Sequence, residues 1–332
     1  MTSGPDRPGE FETIAELFRP LTGGAPEARG LLDDAAVLPS RPGQDLVITK
    51  DAIVESVHFL PDDPLDLVAR KLLRANLSDL AAKGAEPYGY FLAVSWSGRC
   101  GLDERAAFAR GLAEDQARFG VVLLGGDTTS TPGPLTASVT ALGWAPHGRT
   151  PSRAGARPGD LVLVSGAIGD GYLGLKAARG ELRGLEPERV AALARRYRLP
   201  EPRGVLARAV RDHASASADV SDGLIADLGH ICAASGVGAE LHLERLPLSA
   251  AAKAWLDHRA DPVASLADLA TGGDDYEIVC TARPEHAEAL IRAGDKAGVP
   301  FTPVAAIRAG EGVRTLHGGD TVPVGRGGWR HP

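Results

Sequence analysis

The chain has 332 residues, more than a single hydrophobic core usually organises, so two domains are expected. Its 44% hydrophobic and 24% charged residues are typical of a folded soluble protein and argue against disorder. The net charge of −7 offers no basic surface of the kind that nucleic-acid binding requires. The N-terminus lacks the apolar core of a signal peptide, and no apolar run approaches the roughly 18 residues needed to cross a bilayer. We therefore expect a cytoplasmic protein without nucleic-acid or membrane partners.

The first half of the chain is predicted to be an α/β domain. Leucines recur at helical spacing between Pro64 and Lys83, and Asp63 before them is suited to cap that helix. The predicted elements are, in chain order, a helix from Phe11 to Phe18, a strand over 46–49, a helix from Pro64 to Lys83, a strand from Tyr90 to Trp96, a helix from Asp103 to Phe119, and strands over Val121–Leu124 and Leu135–Leu142. The Pro-, Gly- and Arg-rich stretch over 146–158 predicts the connection between a domain at 1–147 and a second domain at 148–332.

The second half alternates strands and helices again, which predicts a second α/β domain. Its predicted strands are Leu161–Val164, Ala218–Val220, Ala239–Leu243, Tyr276–Thr281 and Phe301–Ile307. Its predicted helices are Tyr172–Ala178, Pro187–Tyr197, Gly204–His213, Leu224–Ala234 and Pro284–Ala297. The Gly-rich segment from Gly325 onward is expected to be flexible.

Aspartates at the edges of apolar segments are the most informative feature. They are Asp33 and Asp34, Asp51, Asp79, Asp127, and Asp219 with Asp222. Any one of them beside Gly, Ser or Thr is explained by an ordinary turn or helix cap. Their recurrence favours a site for hard cations, because Mg²⁺ and Ca²⁺ prefer oxygen ligands and aspartate is rarely buried unless paired or bound to metal.

Other motifs carry less weight. Gly169, Gly171 and Gly174 fit the dinucleotide pattern G-x-G-x-x-G, but glycines there are also explained by a tight turn and close packing. The sequence contains neither a G-x-x-x-x-G-K-[ST] phosphate loop nor a G-x-S-x-G nucleophile elbow. A Walker-type nucleotide site and a serine hydrolase are therefore not supported.

Taken together, the ordered motifs resemble those of the thiamine-monophosphate kinase family. They are Leu32–Leu38, Thr49–Ala52, Val57–Phe59, Asn76–Ala85, Gly125–Thr128, Arg153, Arg157–Asp160, Asp219–Leu224 and Gly272–Glu277. This family belongs to the superfamily of aminoimidazole ribonucleotide synthetase and selenophosphate synthetase. The resemblance implies a two-domain α/β (α+β) fold, an N-terminal mixed sheet that pairs in a homodimer, and a C-terminal α/β domain. It also implies direct in-line transfer of a phosphate from ATP to thiamine monophosphate, assisted by Mg²⁺.

The resemblance further implies a role for individual residues. The metal ligands would be Asp34, Thr49, Asp51, Asp79, Asp127, Asp219 and Asp222, and of these Asp79, Asp127 and Asp222 would be catalytic. The residues that contact ATP would be Gly126, Asp127, Arg153 and Ser221. The residues that contact the thiamine substrate would be His58, Asp274 and Trp329. Trp329 alone is equally well explained as a packing anchor, although an aromatic ring suits a cationic thiazolium.

Three positions depart from the family pattern. Leu32 replaces the second glycine of the usual Gly-x-Gly-Asp-Asp, Lys50 replaces a hydroxyl residue, and Asp274 stands where glutamate is usual. Lys50 either points inward and substitutes for the charge of one cation, or points outward as a solvated strand residue. Two alternatives stay open at this point, namely another ATP-dependent enzyme of the superfamily and a catalytically silent binding protein.

Overall fold

The computed structural model describes residues 10–325 and 327–328. The chain divides into two compact units. The first runs up to Leu80 and then from Glu86 to His147, and the second contains Ala81–Ala85 and the chain from Gly148 onward. Within the described residues, no helix is both long and apolar enough to span a membrane.

The first unit contains a four-stranded mixed sheet and its helices. The elements are α1 (Glu10–Thr13), β1 (Gln44–Val54), α2 (Leu65–Ala82, whose last two residues belong to the second unit), β2 (Glu86–Ser97), α3 (Leu102–Phe119), β3 (Val122–Thr131) and β4 (Thr136–Pro146). The strand order is β1-β4-β2-β3, and only the β2–β3 pair is parallel among the described strands of this sheet. Further helical turns over Ile14–Phe18, Arg19–Thr22 and Pro26–Leu31 precede β1.

One face of this sheet is packed and the other is open. On β2 the alternate residues Tyr90, Leu92, Val94 and Trp96 are buried, and the Trp96 ring meets Phe108 of α3 edge-to-face at 5.4 Å between centroids. The alternate residues of β1 on the opposite face include Leu46 and Ile48, which are 38% and 59% exposed.

The second unit contains a seven-stranded mixed sheet. Its strands are β5 (Leu161–Ser165), β6 (Ala216–Val220), β7 (Gly238–His242), β8 (Glu277–Ala282), β9 (Phe301–Arg308), β10 (Gly312–His317) and β11 (Asp320–Thr321). Its helices are α4 (Asp170–Ala178), α5 (Pro187–Arg198), α6 (Ala207–His213), α7 (Leu224–Ser235), α8 (Ala250–Leu256), α9 (Pro262–Thr271) and α10 (Pro284–Ala297). The strand order is β11-β10-β7-β9-β5-β8-β6.

The strands at the centre of this sheet are buried on both faces. Along β5, Val162 and Val164 join one hydrophobic cluster, while Leu163 between them joins another. Such strands read as continuous apolar runs in the sequence, which is why Leu161–Val164 could be predicted. The predicted fold class, two α/β units with mixed sheets, is confirmed. Four elements that were not predicted are α8, α9, β10 and β11.

Candidate active site

The first group of predicted site residues lies where β1 faces α2. The Thr49 hydroxyl donates a hydrogen bond to the Asp79 carboxylate, and the backbone N–H of Asp51 donates to Asn76 Oδ1 at 3.1 Å. Asn76 is itself fixed, because its Nδ2 donates to the carbonyl of Leu72 at 2.9 Å. Thr49, Asp51 and Asp79 are half-buried. The fold therefore gathers a hydroxyl and two carboxylates from segments 30 residues apart.

A second group lies beside β3 in the same unit. Asp34, Gly126 and Asp127 line a cavity of about 430 Å³. Asp34 is exposed, and its N–H donates to Asp33 Oδ1 at 2.8 Å. The ion pair with Arg29 is the main reason that the pKa of Asp33 is lowered. At Gly126 an added Cβ would lie 1.8 Å from the carbonyl oxygen of Leu92, so no side chain fits there.

Leu32, next to Asp33, has an ordinary backbone. Its φ is −112° and its side chain is 77% exposed. The positive φ values of this turn lie earlier, at Arg29, Gly30 and Leu31. Leucine is therefore compatible with the backbone at the position where the family pattern has its second glycine.

The sheet separates Asp127 from the first group. Residues paired directly across neighbouring strands have side chains on the same face of a sheet. Asp51 pairs with Val139 of β4, Val139 pairs with Leu92 of β2, and Leu92 pairs with Gly126 of β3. Asp51 therefore shares its face with position 126 and not with the next residue, Asp127. Asp127 therefore lies on the other face, and β1 and β3 are the opposite edges of the sheet. Within this unit, Asp51 and Asp127 do not form a single cluster.

Lys50 lies on the open face of the sheet. Its Nζ donates to Ser138 Oγ at 3.2 Å and to Thr140 Oγ1 at 3.4 Å, and both residues belong to β4. Its neighbours Thr49 and Asp51 point to the other face, as the alternation of a strand requires. Of the two orientations open at the sequence level, the structure shows the outward one, so Lys50 does not substitute for a cation beside Asp51.

His58 follows β1 in a tight turn. Its Nδ1 accepts a hydrogen bond from the N–H of Val54 at 3.1 Å, and its carbonyl accepts one from Lys71 Nζ at 3.0 Å. An accepting Nδ1 means that a neutral imidazole carries its proton on Nε2. The ring orientation is thus set by the end of β1.

In the second unit, Asp219, Ser221 and Asp222 lie at the C-terminal end of β6. Asp219 is buried, whereas Ser221 and Asp222 are half-buried. The N–H groups of Ser221 and Asp222 both donate to Asp227 Oδ2, each at 3.1 Å. Asp227, on α7, was not singled out in the sequence, and it fixes the backbone that carries two predicted site residues.

The buried carboxyl of Asp227 has an unusual proton affinity. Burial, followed by the charge of Asp222, raises its pKa to about 7, although the two N–H donors and Arg153 oppose that shift. Arg153 is exposed and lies close enough to Asp227 for its charge to act on this carboxyl. This proximity brings the predicted ATP contact Arg153 together with the Asp219–Asp222 segment.

The Asp227→Asn substitution is expected to make stability less dependent on pH. In the wild type the folded state holds a proton that the unfolded state has released, and this contribution is lost as the pH rises through about 7. The asparagine oxygen can accept the same two hydrogen bonds and stays neutral. Measured by thermal unfolding in EDTA, the stability of the variant relative to wild type should increase between pH of about 5 and 8, by at most about 3 kcal/mol. A stability difference between variant and wild type that stays the same across that pH range would contradict the raised pKa of Asp227.

Two further features lie near Asp222. A ligand atom from each of Asp222, Asp227 and His230 lies within 4.8 Å of the others. Asp222 and His230 also line a cavity of about 900 Å³ between α7, β10 and the chain near Gly328. The spacing from Asp227 to His230 on a helix was the sequence signal that could have identified this cluster.

The predicted substrate contacts of this unit can be described only in part. The N–H of Asp274 donates to the carbonyl of Ser221 at 2.9 Å, so Asp274 is held next to the Asp219–Asp222 segment. Trp329 lies outside the described residues. Gly328, which precedes it, is packed so closely that a Cβ would lie 2.6 Å from the carbonyl oxygen of Asp222.

The donors gathered in the first unit suit Mg²⁺. Thr49, Asp51 and Asp79 offer hydroxyl and carboxylate oxygens, the ligand type that this ion prefers. In the second unit Asp222 offers a carboxylate, and Asp227 keeps one oxygen outside its two hydrogen bonds to backbone N–H groups. The residues present in each unit thus fit a site for this ion.

Comparison with known proteins identifies the fold in both halves. Models of the AIR synthase related proteins match the chain, the N-terminal domain over residues 32–145 and the C-terminal domain over residues 157–317. The class defined by the two units is therefore that of the AIR synthase related proteins.

Individual relatives narrow the class further. The chain is 57% identical over 324 residues to thiamine-monophosphate kinase of Caulobacter vibrioides, covering 98% of this chain and 91% of that protein. Thiamine-monophosphate kinase from Stenotrophomonas maltophilia has a similar structure, with a TM-score of 0.81, 35% identity and coverage of 93% and 97% of the two chains. A structure of AaThiL complexed with AMPPCP and TMP has a TM-score of 0.76, 28% identity and coverage of 88% and 89%. The chain belongs to the thiamine-monophosphate kinase family, and the resemblance seen in its motifs is confirmed.

Proposed function

We propose that this protein transfers the γ-phosphate of ATP to thiamine monophosphate and forms thiamine diphosphate and ADP. The observation that carries the proposal is the 57% identity to a thiamine-monophosphate kinase over nearly the whole chain. Further support comes from AaThiL, a structural relative in complex with AMPPCP and TMP, because these ligands correspond to an ATP analogue and the phosphate acceptor. The gathered carboxylates fit a reaction that brings two anionic phosphates together.

The chemistry requires few reactive groups from the protein. A phosphate oxygen of thiamine monophosphate is the nucleophile, so neither a protein nucleophile nor a strong base is needed, and catalysis depends on position and charge. Bound Mg²⁺ would supply neutralisation of phosphate charge. We propose that Thr49, Asp51 and Asp79 hold such ions, together with Asp34, Asp127, Asp219 and Asp222. The Thr49 hydroxyl orients the Asp79 carboxylate, and Asn76 fixes the backbone of Asp51.

The remaining residues bind and orient the two substrates in this proposal. Gly126, Arg153 and Ser221 contact ATP, and Asp127 and Asp222 act beside the transferred phosphate. Because Gly126 has no side chain, a phosphate can approach its backbone closely. His58, Asp274 and Trp329 contact the thiamine moiety, with His58 presenting the ring edge opposite its Nδ1.

Product analysis tests the proposed reaction directly. Purified protein is incubated with ATP, Mg²⁺ and thiamine monophosphate, and free thiamine and aminoimidazole-pathway precursors are tested in parallel. Thiamine diphosphate and ADP should form only when magnesium and the monophosphate are both present. Binding of ATP without turnover of any acceptor would contradict the proposal and favour a silent binding protein.

We also propose a cytoplasmic location. The proposal rests on the proposed reaction, because its substrate ATP is produced and used in that compartment. Recovery of the activity in a membrane or secreted fraction, rather than the cytoplasmic fraction, would contradict this location.

We further propose that the protein works as a homodimer through the open face of the first sheet. Leu46 and Ile48 expose apolar side chains on this face, and clustered exposed apolar groups commonly mark interfaces. Asp127 lies on the same face, so a partner subunit would cover the neighbourhood of its carboxylate.

The Ile48→Glu substitution is expected to dissociate this dimer. A charge buried at the interface without a partner should raise the dimer dissociation constant at least about tenfold. Light scattering after size exclusion measures the mass, and Val205→Glu, at a similarly exposed residue of the second unit, is the matched control. A monomeric wild type, or an Ile48→Glu protein that dimerises like the control, would contradict the proposed interface.

A further inference from the structure

Asp275 has a fully buried carboxyl group that the proposed chemistry does not use. Its Oδ2 accepts a hydrogen bond from the N–H of Gly169 at 2.7 Å, and its Oδ1 accepts one from the N–H of Gly171 at 2.8 Å. Burial raises the pKa of this carboxyl to about 8, while the two N–H donors and Arg196 oppose the shift. With both oxygens held at the start of α4, the side chain has a single orientation.

The segment around Asp275 packs directly on this turn. A Cβ added to Gly171 would lie 2.4 Å from the carbonyl group of Asp274, so only glycine permits the contact. Gly171 therefore belongs to a packing contact, one of the two explanations that the G-x-G-x-x-G pattern left open.

The residues on either side of Asp275 have an unusual backbone. Asp274 and Tyr276 have φ values of +69° and +50°, which L residues adopt at a cost and which are rare for a bulky side chain. Their N–H groups donate to the carbonyls of Ser221 and Val220 at 2.9 and 2.8 Å. The segment is thus held between the start of α4 and the end of β6.

Charged side chains form hydrogen bonds to the backbone of Asp275 and to the neighbouring Glu277. Arg196 Nη2 donates to the backbone carbonyl of Asp275 at 2.5 Å and to Glu277 Oε1 at 3.1 Å. The buried Glu277 also accepts hydrogen bonds from Ser165 at 2.5 Å and from Arg203 Nε at 2.7 Å. The strain at Asp274 and Tyr276 is therefore maintained by a network anchored in α4, α5, β5 and β8.

From this arrangement we propose that Asp275 is a positioning residue for substrate binding: its side chain holds Asp274 in the left-handed conformation from which Asp274 contacts thiamine monophosphate. The inference rests on the proposed function, since it assigns Asp275 a role in the binding of that substrate. Asp275 itself does not touch the substrate and acts through Asp274.

A double-mutant cycle tests whether Asp275 acts through Asp274. Asparagine has the shape of aspartate, but its amide nitrogen cannot accept the hydrogen bond from Gly169 or Gly171. In the wild-type background, Asp275→Asn should raise the KM for thiamine monophosphate about tenfold or more. In the Asp274→Ala background, the same substitution should raise this KM less than about twofold, because the contact through which it acts is already absent. A purely structural defect would give the same factor in both backgrounds and would overturn the inference. Asp268→Asn, at an exposed position of α9, is the control for a change of aspartate to asparagine outside this contact.

Hydrogen exchange gives a second readout that does not depend on activity. In Asp275→Asn, the amides of Gly169, Gly171, Asp274 and Tyr276 should exchange faster while the rest of the second unit is unchanged. Gly171→Ala, which keeps the carboxylate but displaces Asp274, should give the same local pattern. If wild type forms no thiamine diphosphate, the proposed function fails while the exchange experiment still tests the positioning. Unchanged exchange at these four amides, or faster exchange throughout the second unit, would overturn the positioning role of Asp275.

Discussion

Replacing Asp79 with asparagine is expected to lower kcat about 100-fold or more while leaving the fold intact, since removing preorganised charge stabilisation from an active site commonly costs that much. Asp79 is half-buried on α2, and its carboxylate accepts the hydrogen bond of the Thr49 hydroxyl. Asparagine keeps the shape and one oxygen, but it removes the negative charge that a magnesium ion requires. The loss should therefore appear in turnover and not in the melting temperature.

The dependence on magnesium separates this explanation from a general defect. Raising the Mg²⁺ concentration should recover part of the activity of Asp79→Asn, because a weakened site fills at higher concentration. Asp127→Asn, at the cavity beside β3, should show a comparable loss. Asp103→Asn, at an exposed aspartate of α3, is the control and should have wild-type activity. Full activity in both Asp79→Asn and Asp127→Asn would refute the metal assignment.

The sequence predicted most elements because their apolar patterns are strong. The buried strand β5 and the long helix α2 were predicted within a few residues of their observed ends. Helix α8 has only seven residues, too few for a periodic pattern to be recognised, whereas α9 was missed although Asp261 and Pro262 at its start form a recognisable helix-start signal. The short strand β10 has glycine at its first residue, Gly312, and follows Gly310, a composition that indicates a turn rather than a strand.

The candidate site was predictable as a set of segments but not as a set of contacts. The aspartate motifs drew attention to Asp51 and Asp127, but strand order and register decide that these residues lie on different faces of the sheet. The orientation of Lys50 also depends on the alternation of an observed strand. The contacts of Asp275 were missed because its partners, the N–H groups of Gly169 and Gly171, lie far away along the chain, and local sequence patterns do not encode such pairing. Asp227 accepts from Ser221 and Asp222, which are close to it in the sequence, but an aspartate in the first turn of a helix has no pattern that predicts this contact.

The largest effect on stability is expected from Asp115→Asn. Asp115 of α3 is completely buried and accepts two hydrogen bonds from the buried Arg74 of α2, from Nε at 2.6 Å and from Nη2 at 2.8 Å. Arg70 Nε adds a third at 3.0 Å. The substitution removes the charge that Asp115 places against the buried Arg74 guanidinium, so the free energy of unfolding should fall by about 3–5 kcal/mol. Denaturant unfolding measures this loss.

The neighbouring residue provides a matched control. Glu114 also pairs with Arg70, at 2.6 Å, but its side chain is 58% exposed, so Glu114→Gln should cost less than about 1 kcal/mol. Replacing both buried partners, as Arg74→Met with Asp115→Leu, should recover most of the lost stability, because the buried Arg74 guanidinium is then removed together with the carboxylate that faces it. An equal loss in Asp115→Asn and Glu114→Gln, or no recovery in the double variant, would mean that this ion pair does not hold α2 against α3. The ion pair matters for the site because α2 also carries Asn76 and Asp79. Since Asp115 does not itself belong to the site, the activity of Asp115→Asn should fall only under conditions in which the variant unfolds.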